Sequence, residues 1–351
     1  MAEVNMSTEV RHSVRKKHKR RTRRRLLVFF IVIALAAVAV FGIRSRIIKN
    51  RTLSITEPFS LDEALGQSDL SVFSLQSLEG KASDLVASDS EVGSDLVTLQ
   101  SDTERALLFN LDDKSAVYAH GIYDKVYPAS LTKIMTALVC LDSVSMGMNV
   151  TMQEQDFEMD ADAQESQLDA GDSLTMGDLL KLMLVYSAND AALAIARTVS
   201  GSTDAFVQKM NDKASELGMT GTHFVNPTGL HDDDHYTTPY DIYLMMNAAN
   251  QYPEFSEYAS AASMQVSVTG TQGTSSFTED STDEYLTGIY TLPQNVTIIA
   301  SKTGTTDEAG SCLSLIVQNE YGVNYCAVVT GALDKDGLYG DMTQLLSLIN
   351  S

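Results

Sequence analysis

Apolar and polar residues divide this chain into stretches of different period. Leu26 to Ile43 reads LLVFFIVIALAAVAVFGI, 18 residues without a charge, enough to span a bilayer core with modest tilt. Residues 44–100 are rich in Ser, Asp and Leu with weak periodicity, which predicts a linker with at most short helices. From Ser101 the patterns sharpen. Ala106 to Gly121 carries two apolar strand runs around Asp112-Asp113-Lys114, a hairpin signal. Ser130 to Leu141 places Leu131, Ile134, Met135, Leu138 and Val139 at helical spacing. Leu179 to Val199 is helical, with a break near Tyr186-Ser187-Ala188-Asn189; Ala205 to Leu217 is a further helix ended by Gly218, and Thr238-Pro239 opens another. The last third changes to strand period over Met264–Val268, Val296–Lys302, Cys312–Val317 and Tyr325–Leu333, with a short helix, Met342–Ile349, at the close. The expected architecture is α+β: an antiparallel sheet covered by helices, with a helical cluster inserted between its first and last strands.

Charge refines this division. Residues 1–51 hold 14 Lys and Arg against 2 Asp and Glu, leaving 11 basic and 44 acidic residues for the rest, a net of −33. So acidic a body argues against nucleic acid or anionic lipid as its partner. The basic block before the apolar run predicts a cytoplasmic tail over residues 1–25 and a transmembrane anchor over 26–43, with everything after it extracytoplasmic. A cleaved signal peptide competes with this reading, since Ala34, Ala37 and Ala39 offer small residues; the length of the run and the basic residues Arg44, Arg46, Lys49 and Arg51 behind it favour an uncleaved anchor. The domain plan is therefore tail, anchor, extracytoplasmic linker over 44–100, and a catalytic domain over 101–351. Cys140, Cys312 and Cys326 fall in apolar runs and read as small buried hydrophobes.

Three polar runs interrupt the apolar pattern in a fixed order: Ser130-Leu131-Thr132-Lys133, Ser187-Ala188-Asn189 and Lys302-Thr303-Gly304. On a helix Ser130 and Lys133 share a face. Burial and a second cation such as Lys302 would lower the Lys133 pKa until its amine could take the serine proton. Ser187 and Asn189 sit at a helix break where polar side chains can project into a cleft, the hydroxyl passing a proton and the amide bonding lysine and substrate. Alternation puts Lys302 and Gly304 on one face of a strand; Thr303 and Thr305 can bond a carboxylate that Lys302 attracts, and the glycine lets a substrate lie close. The set matches S-x-x-K, [ST]-x-N and K-T-G of active-site serine enzymes that acylate on penicillin.

On these runs, and on Phe224-Val225-Asn226-Pro227-Thr228-Gly229-Leu230 and His235-Tyr236-Thr237-Thr238, the chain resembles the low-molecular-mass penicillin-binding proteins, the serine-type D-alanyl-D-alanine carboxypeptidases of peptidase family S11. The resemblance covers roughly Asp102 to Asn350. It implies an acyl-enzyme on Ser130 with Lys133 as base, proton relay and substrate positioning by Ser187 and Asn189, carboxylate binding by Lys302, Thr303 and Thr305, and an oxyanion hole from the backbone N–H groups of Ser130 and Thr305. Implied partners are peptidoglycan stem peptides and, as covalent inhibitors, β-lactams; neither metal nor organic cofactor is required. The chain departs from the family in Gly270 to Pro293, which is short, acidic and without the Asn-rich aromatic run usual there, so the resemblance does not supply substrate contacts on that side. The β-rich domain and C-terminal membrane helix common in relatives are not expected either. His231-Asp232-Asp233-Asp234-His235 has metal-ligand residue types but lies in a loop, and Asn149 and Asn295 stand in accidental sequons. Two other outcomes suit the same scaffold. A β-lactamase commonly uses a loop glutamate, absent from Gly218–Leu230; a non-catalytic sensor would not need complete motifs.

Overall fold

The computed structural model describes residues 91–159, 163–270 and 273–350. The basic tail, the apolar run 26–43 and most of the expected linker lie outside the described residues. Among the described residues no helix is long and apolar enough to cross a membrane.

The body is α+β. Six strands, β1 (Glu91–Val92), β2 (Arg105–Asn110), β3 (Ser115–His120), β8 (Val296–Thr306), β9 (Gly310–Asn319) and β10 (Asn324–Ala332), form one antiparallel sheet in the order β1-β3-β2-β10-β9-β8. Period-two alternation gives this sheet two apolar faces. Leu107 and Phe109 of β2 join the core of the helical cluster; Ala106 and Leu108 join a second core under the C-terminal helix α7 (Lys335–Ser347), with Leu338, Met342, Leu345 and Leu346. The helical cluster holds α1 (Thr132–Ser143), α2 (Met176–Val185), α3 (Asn189–Ser200), α4 (Thr203–Glu216), α5 (Pro239–Ala249) and α6 (Pro253–Ala259). Helix α1 runs through the middle of it, buried from Thr132 to Cys140. That explains a helix apolar on nearly every side and makes any charge on it costly. Caps define several starts: Thr175, Ser202, Thr238 and Asp334 each accept from an amide three residues on.

Several expectations need correction. The body begins before Ser101: Glu91–Val92 pairs with β3, Val97 is buried, and Thr98 N donates to Gln344 Oε1 of α7 at 2.8 Å. A two-residue strand leaves too little alternation to read. Ser130 precedes α1, in a 3-10 turn over Ala129–Leu131. Helix α7 begins seven residues ahead of Met342: Asp334 caps its first turn, and Gly337 and Gly340 in its first two turns dilute the helical pattern. A second sheet, β4 (Asn149–Thr151), β5 (Ser173–Thr175), β6 (Ser263–Gly270) and β7 (Gly273–Asp280), in that order, was expected only at β6. β4 and β5 are three residues each, and β7 is an edge strand with few buried positions.

Candidate active site

The 3-10 turn before α1 carries Ser130, and Ala129 holds φ +47°, a left-handed backbone that costs a residue with a Cβ about 1–3 kcal/mol. Gly229 makes that turn possible: a Cβ there would lie 1.9 Å from the Ala129 carbonyl oxygen. One helical turn beyond Ser130, Lys133 is fully buried, its Nζ 2.8 Å from Ser130 Oγ, 2.7 Å from Asn189 Oδ1 and 2.7 Å from the Thr228 carbonyl. Burial first, and then the charge of Lys302, push the Lys133 pKa well below the usual lysine range, with Asp190 opposing both. A neutral amine has two N–H donors and one lone pair. Its carbonyl neighbours only accept, so both hydrogens go to Asn189 and Thr228. In that neutral form the lone pair would face the Ser130 hydroxyl.

Between α2 and α3 the chain breaks, and Ser187 takes φ +66°. Neighbouring residues clamp this turn from both sides. Asn189 N donates to Gln164 O at 2.9 Å, Gln164 Nε2 donates to Tyr186 O, and Ser166 Oγ donates to Asp190 at 2.5 Å. Asp190 is fully buried; burial raises its pKa and the Ser166 bonds oppose the rise.

The third run lies on β8 at the sheet edge. A bulge between Ile298 and Ala300 changes the phase of the strand: Val296 and Ile298 face the α7 core, whereas Ala300 belongs to the helical core. Lys302 and Gly304 then pair with Ser314 and Cys312 and point toward α1. Lys302 is buried, its Nζ 3.0 Å from Ser187 Oγ and 2.8 Å from the Thr303 carbonyl; burial lowers its pKa to about 7, against a smaller opposing pull from Asp283. A Cβ on Gly304 would lie 2.9 Å from Ser130 N, so the missing side chain is what brings strand and serine together.

These elements enclose a cleft of about 330 Å³ lined by Ser130, Ser187, Asn189, Thr303, Gly304 and Thr305. Lys133 and Lys302 touch its floor through Ser130 and Ser187. All eight residues singled out in the sequence thus meet at one place. Reasoning from the sequence assigned no role to the Thr228 carbonyl, although it lies in the N-P-T-G-L segment, or to Asp190, although it directly follows Asn189, and it missed Gln164 and Thr282, whose only signal is their contact across the fold. His235 is buried structure: Val225 N donates to its Nδ1 at 3.2 Å, so its Nε2 carries the hydrogen toward Thr132 Oγ1 at 2.8 Å, and burial lowers its pKa to about 4. Both ring nitrogens are committed, which leaves no lone pair for a metal.

A serine held by a buried lysine, at the edge of an antiparallel sheet flanked by helices, defines the serine acyltransferase class in which lysine replaces histidine as base. A profile of the D-alanyl-D-alanine carboxypeptidase family matches residues 93–334, and the chain belongs to that family. It is 29% identical over 254 residues to the D-alanyl-D-alanine carboxypeptidase DacF of Bacillus subtilis, covering 71% of this chain and 62% of that protein. It is 34% identical over 226 residues to a D-alanyl-D-alanine endopeptidase of Pseudomonas aeruginosa, covering 63% and 69%. Among solved structures, the Streptomyces K15 DD-transpeptidase superposes with a TM-score of 0.66 at 25% identity, over 72% of this chain and 98% of that one. A D-alanyl-D-alanine carboxypeptidase of Mycobacterium tuberculosis does so with 0.63 at 26% identity, over 74% and 95%.

Proposed function

We propose that this protein is a penicillin-sensitive serine D,D-carboxypeptidase that removes the terminal D-alanine from peptidoglycan stem pentapeptides. One observation carries the reading: the buried Lys133 Nζ lies 2.8 Å from Ser130 Oγ, and its other two partners, Asn189 Oδ1 and the Thr228 carbonyl, can only accept. In the first step Lys133 takes the Ser130 proton as Oγ attacks the carbonyl carbon between the two D-alanines. Ser130 N and Thr305 N hold the oxyanion, and Lys302, Thr303 and Thr305 hold the terminal carboxylate. As the C–N bond breaks, Ser187, bonded to Lys302, relays to the departing amine the proton that Lys133 took, which leaves Ser187 a hydroxyl and Lys133 neutral again. Lys133 then takes a proton from the water that attacks the ester, and the departing Ser130 Oγ receives that proton as the shortened stem leaves.

We also read residues 26–43 as an uncleaved anchor with the body on the extracytoplasmic side, on the length of the apolar run and the basic block before it. Mass spectrometry of the purified protein with a stem pentapeptide ending in D-Ala-D-Ala tests the activity. D-Alanine release by wild type and none by Ser130→Ala is expected. A fluorescent penicillin that labels Ser130→Ala as well as wild type would overturn the assignment, and rapid turnover of nitrocefin would move the protein to the β-lactamases.

A further inference from the structure

Residues 281–295 join β7 to β8 and lie largely within the segment Gly270 to Pro293 singled out in the sequence; among residues 281–285, Thr282 lines the cleft. Thr282 N donates to the Val185 carbonyl at the end of α2 at 3.1 Å. The next residue, Asp283, is buried and accepts from Ser301 Oγ at 2.5 Å, Tyr285 N at 2.9 Å and Tyr339 Oη at 3.1 Å. Fixed from both sides, Thr282 lines the cleft with its Oγ1 2.5 Å from Thr303 Oγ1.

Two hydroxyls this close place one hydrogen between them, and only one can donate it. If Thr303 donates to Thr282, its lone pairs face the cleft and repel an anion. If Thr282 donates, the Thr303 hydrogen is free to point outward. A carboxylate accepts and never donates, so its arrival selects the second arrangement, and hydrogen bonds in such a chain strengthen one another.

We propose that Thr282 is a specificity-determining residue: its hydroxyl donates to Thr303, turns the Thr303 hydrogen toward the cleft, and so favours peptides ending in a free carboxylate. The inference rests on the carboxypeptidase reading and adds to it a selectivity element from a segment for which the resemblance supplied no substrate contacts.

The test compares wild type, Thr282→Val and Thr282→Ser on two stem peptides, one ending in D-Ala-D-Ala and one in its carboxamide. Valine keeps the shape of threonine and removes the donor; serine keeps the donor. The expected result is a fall in kcat/KM on the acid of roughly three- to tenfold for Thr282→Val, the scale of one net hydrogen bond. It should lie mainly in KM, with the carboxamide rate unchanged and Thr282→Ser restoring the acid. Equal losses on both peptides would mean a structural role and overturn the inference, as would no loss on either. Wild type that releases neither D-alanine nor D-alaninamide would instead refute the carboxypeptidase reading, and this inference with it.

Discussion

Gly304→Ala tests whether the approach of β8 to the serine turn is what makes the site work. The new Cβ would lie 2.9 Å from Ser130 N, 3.0 Å from the Pro128 carbonyl oxygen and 3.1 Å from Ala129 Cβ. Ordinary contacts sit near 3.5–4 Å, so each is short by about half an ångström. All three atoms belong to one stretch that cannot easily retreat, because Ala129 is already left-handed and its carbonyl abuts Gly229. Strand and turn must separate, which stretches the 2.8 Å contact between Ser130 Oγ and Lys133 Nζ. Overpacking of this kind costs about 1–3 kcal/mol, or a fall in Tm of roughly 2–10 °C for a body of this size. Misplacing a nucleophile by a fraction of an ångström lowers its rate by about 10- to 100-fold. Stopped-flow acylation by a fluorescent penicillin and a thermal melt at the same pH measure the two effects. A variant that melts lower yet acylates at the wild-type rate would refute the reasoning, since the strain would then not reach the serine.

Two further perturbations address charge. Lys302 loses its proton near pH 7 in the folded protein, whereas an unfolded lysine keeps it to about pH 10.4. Between those values the unfolded chain binds more protons, so stability rises with pH and the full penalty applies below 7. Lys302→Met should melt higher than wild type at pH 6, by roughly 5 °C or more, with the gap narrowing toward pH 10 while acylation falls; a gap that stays constant with pH would contradict this. Asp190 raises the Lys133 pKa, so Asp190→Asn should move the acid limb of the acylation rate to lower pH. Ser166→Ala loosens the clamp and removes a bond that favours ionised Asp190, so it should move that limb in the same direction by a smaller amount and lower the rate roughly three- to tenfold. An unmoved limb in Asp190→Asn would remove Asp190 from the electrostatics of the site.

What the sequence disclosed and what it hid follow a physical division. Ser130 and Lys133 are three residues apart, and even with the serine in a 3-10 turn the local geometry keeps them in reach, so that pair was legible. The break before Asn189 was legible because Ser187 and Asn189 interrupt an otherwise apolar helical pattern. Thr282, Asp283 and Gln164 carry no such local signal. Their segments are polar and irregular, and their importance comes from partners such as Thr303, Ser301 and Tyr186. The same holds for β4 and β5, too short to show a period, and for β7, with too few buried residues to display one.

The phase of β8 is the most instructive case. Plain alternation places Lys302 and Gly304 on one face but cannot say which face, because in a strand buried on both sides either choice buries apolar residues. Counted from Val296 and Ile298, which pack toward α7, uninterrupted alternation would turn Lys302 toward that same core, away from Ser130 and Ser187. The bulge between Ile298 and Ala300 reverses the phase, and one extra residue thereby delivers the amine to the cleft and the glycine to the serine turn. Ile299 is the residue with no partner on β9, so deleting it should close Ile298 directly onto Ala300 and keep Lys302 and Gly304 on the cleft face by plain alternation. Acylation by penicillin should therefore persist in the deletion variant, with the loss confined to stability from one half-buried side chain. Abolished acylation in a variant that still folds would show that the bent geometry of the bulge, and not the phase it sets, places Lys302.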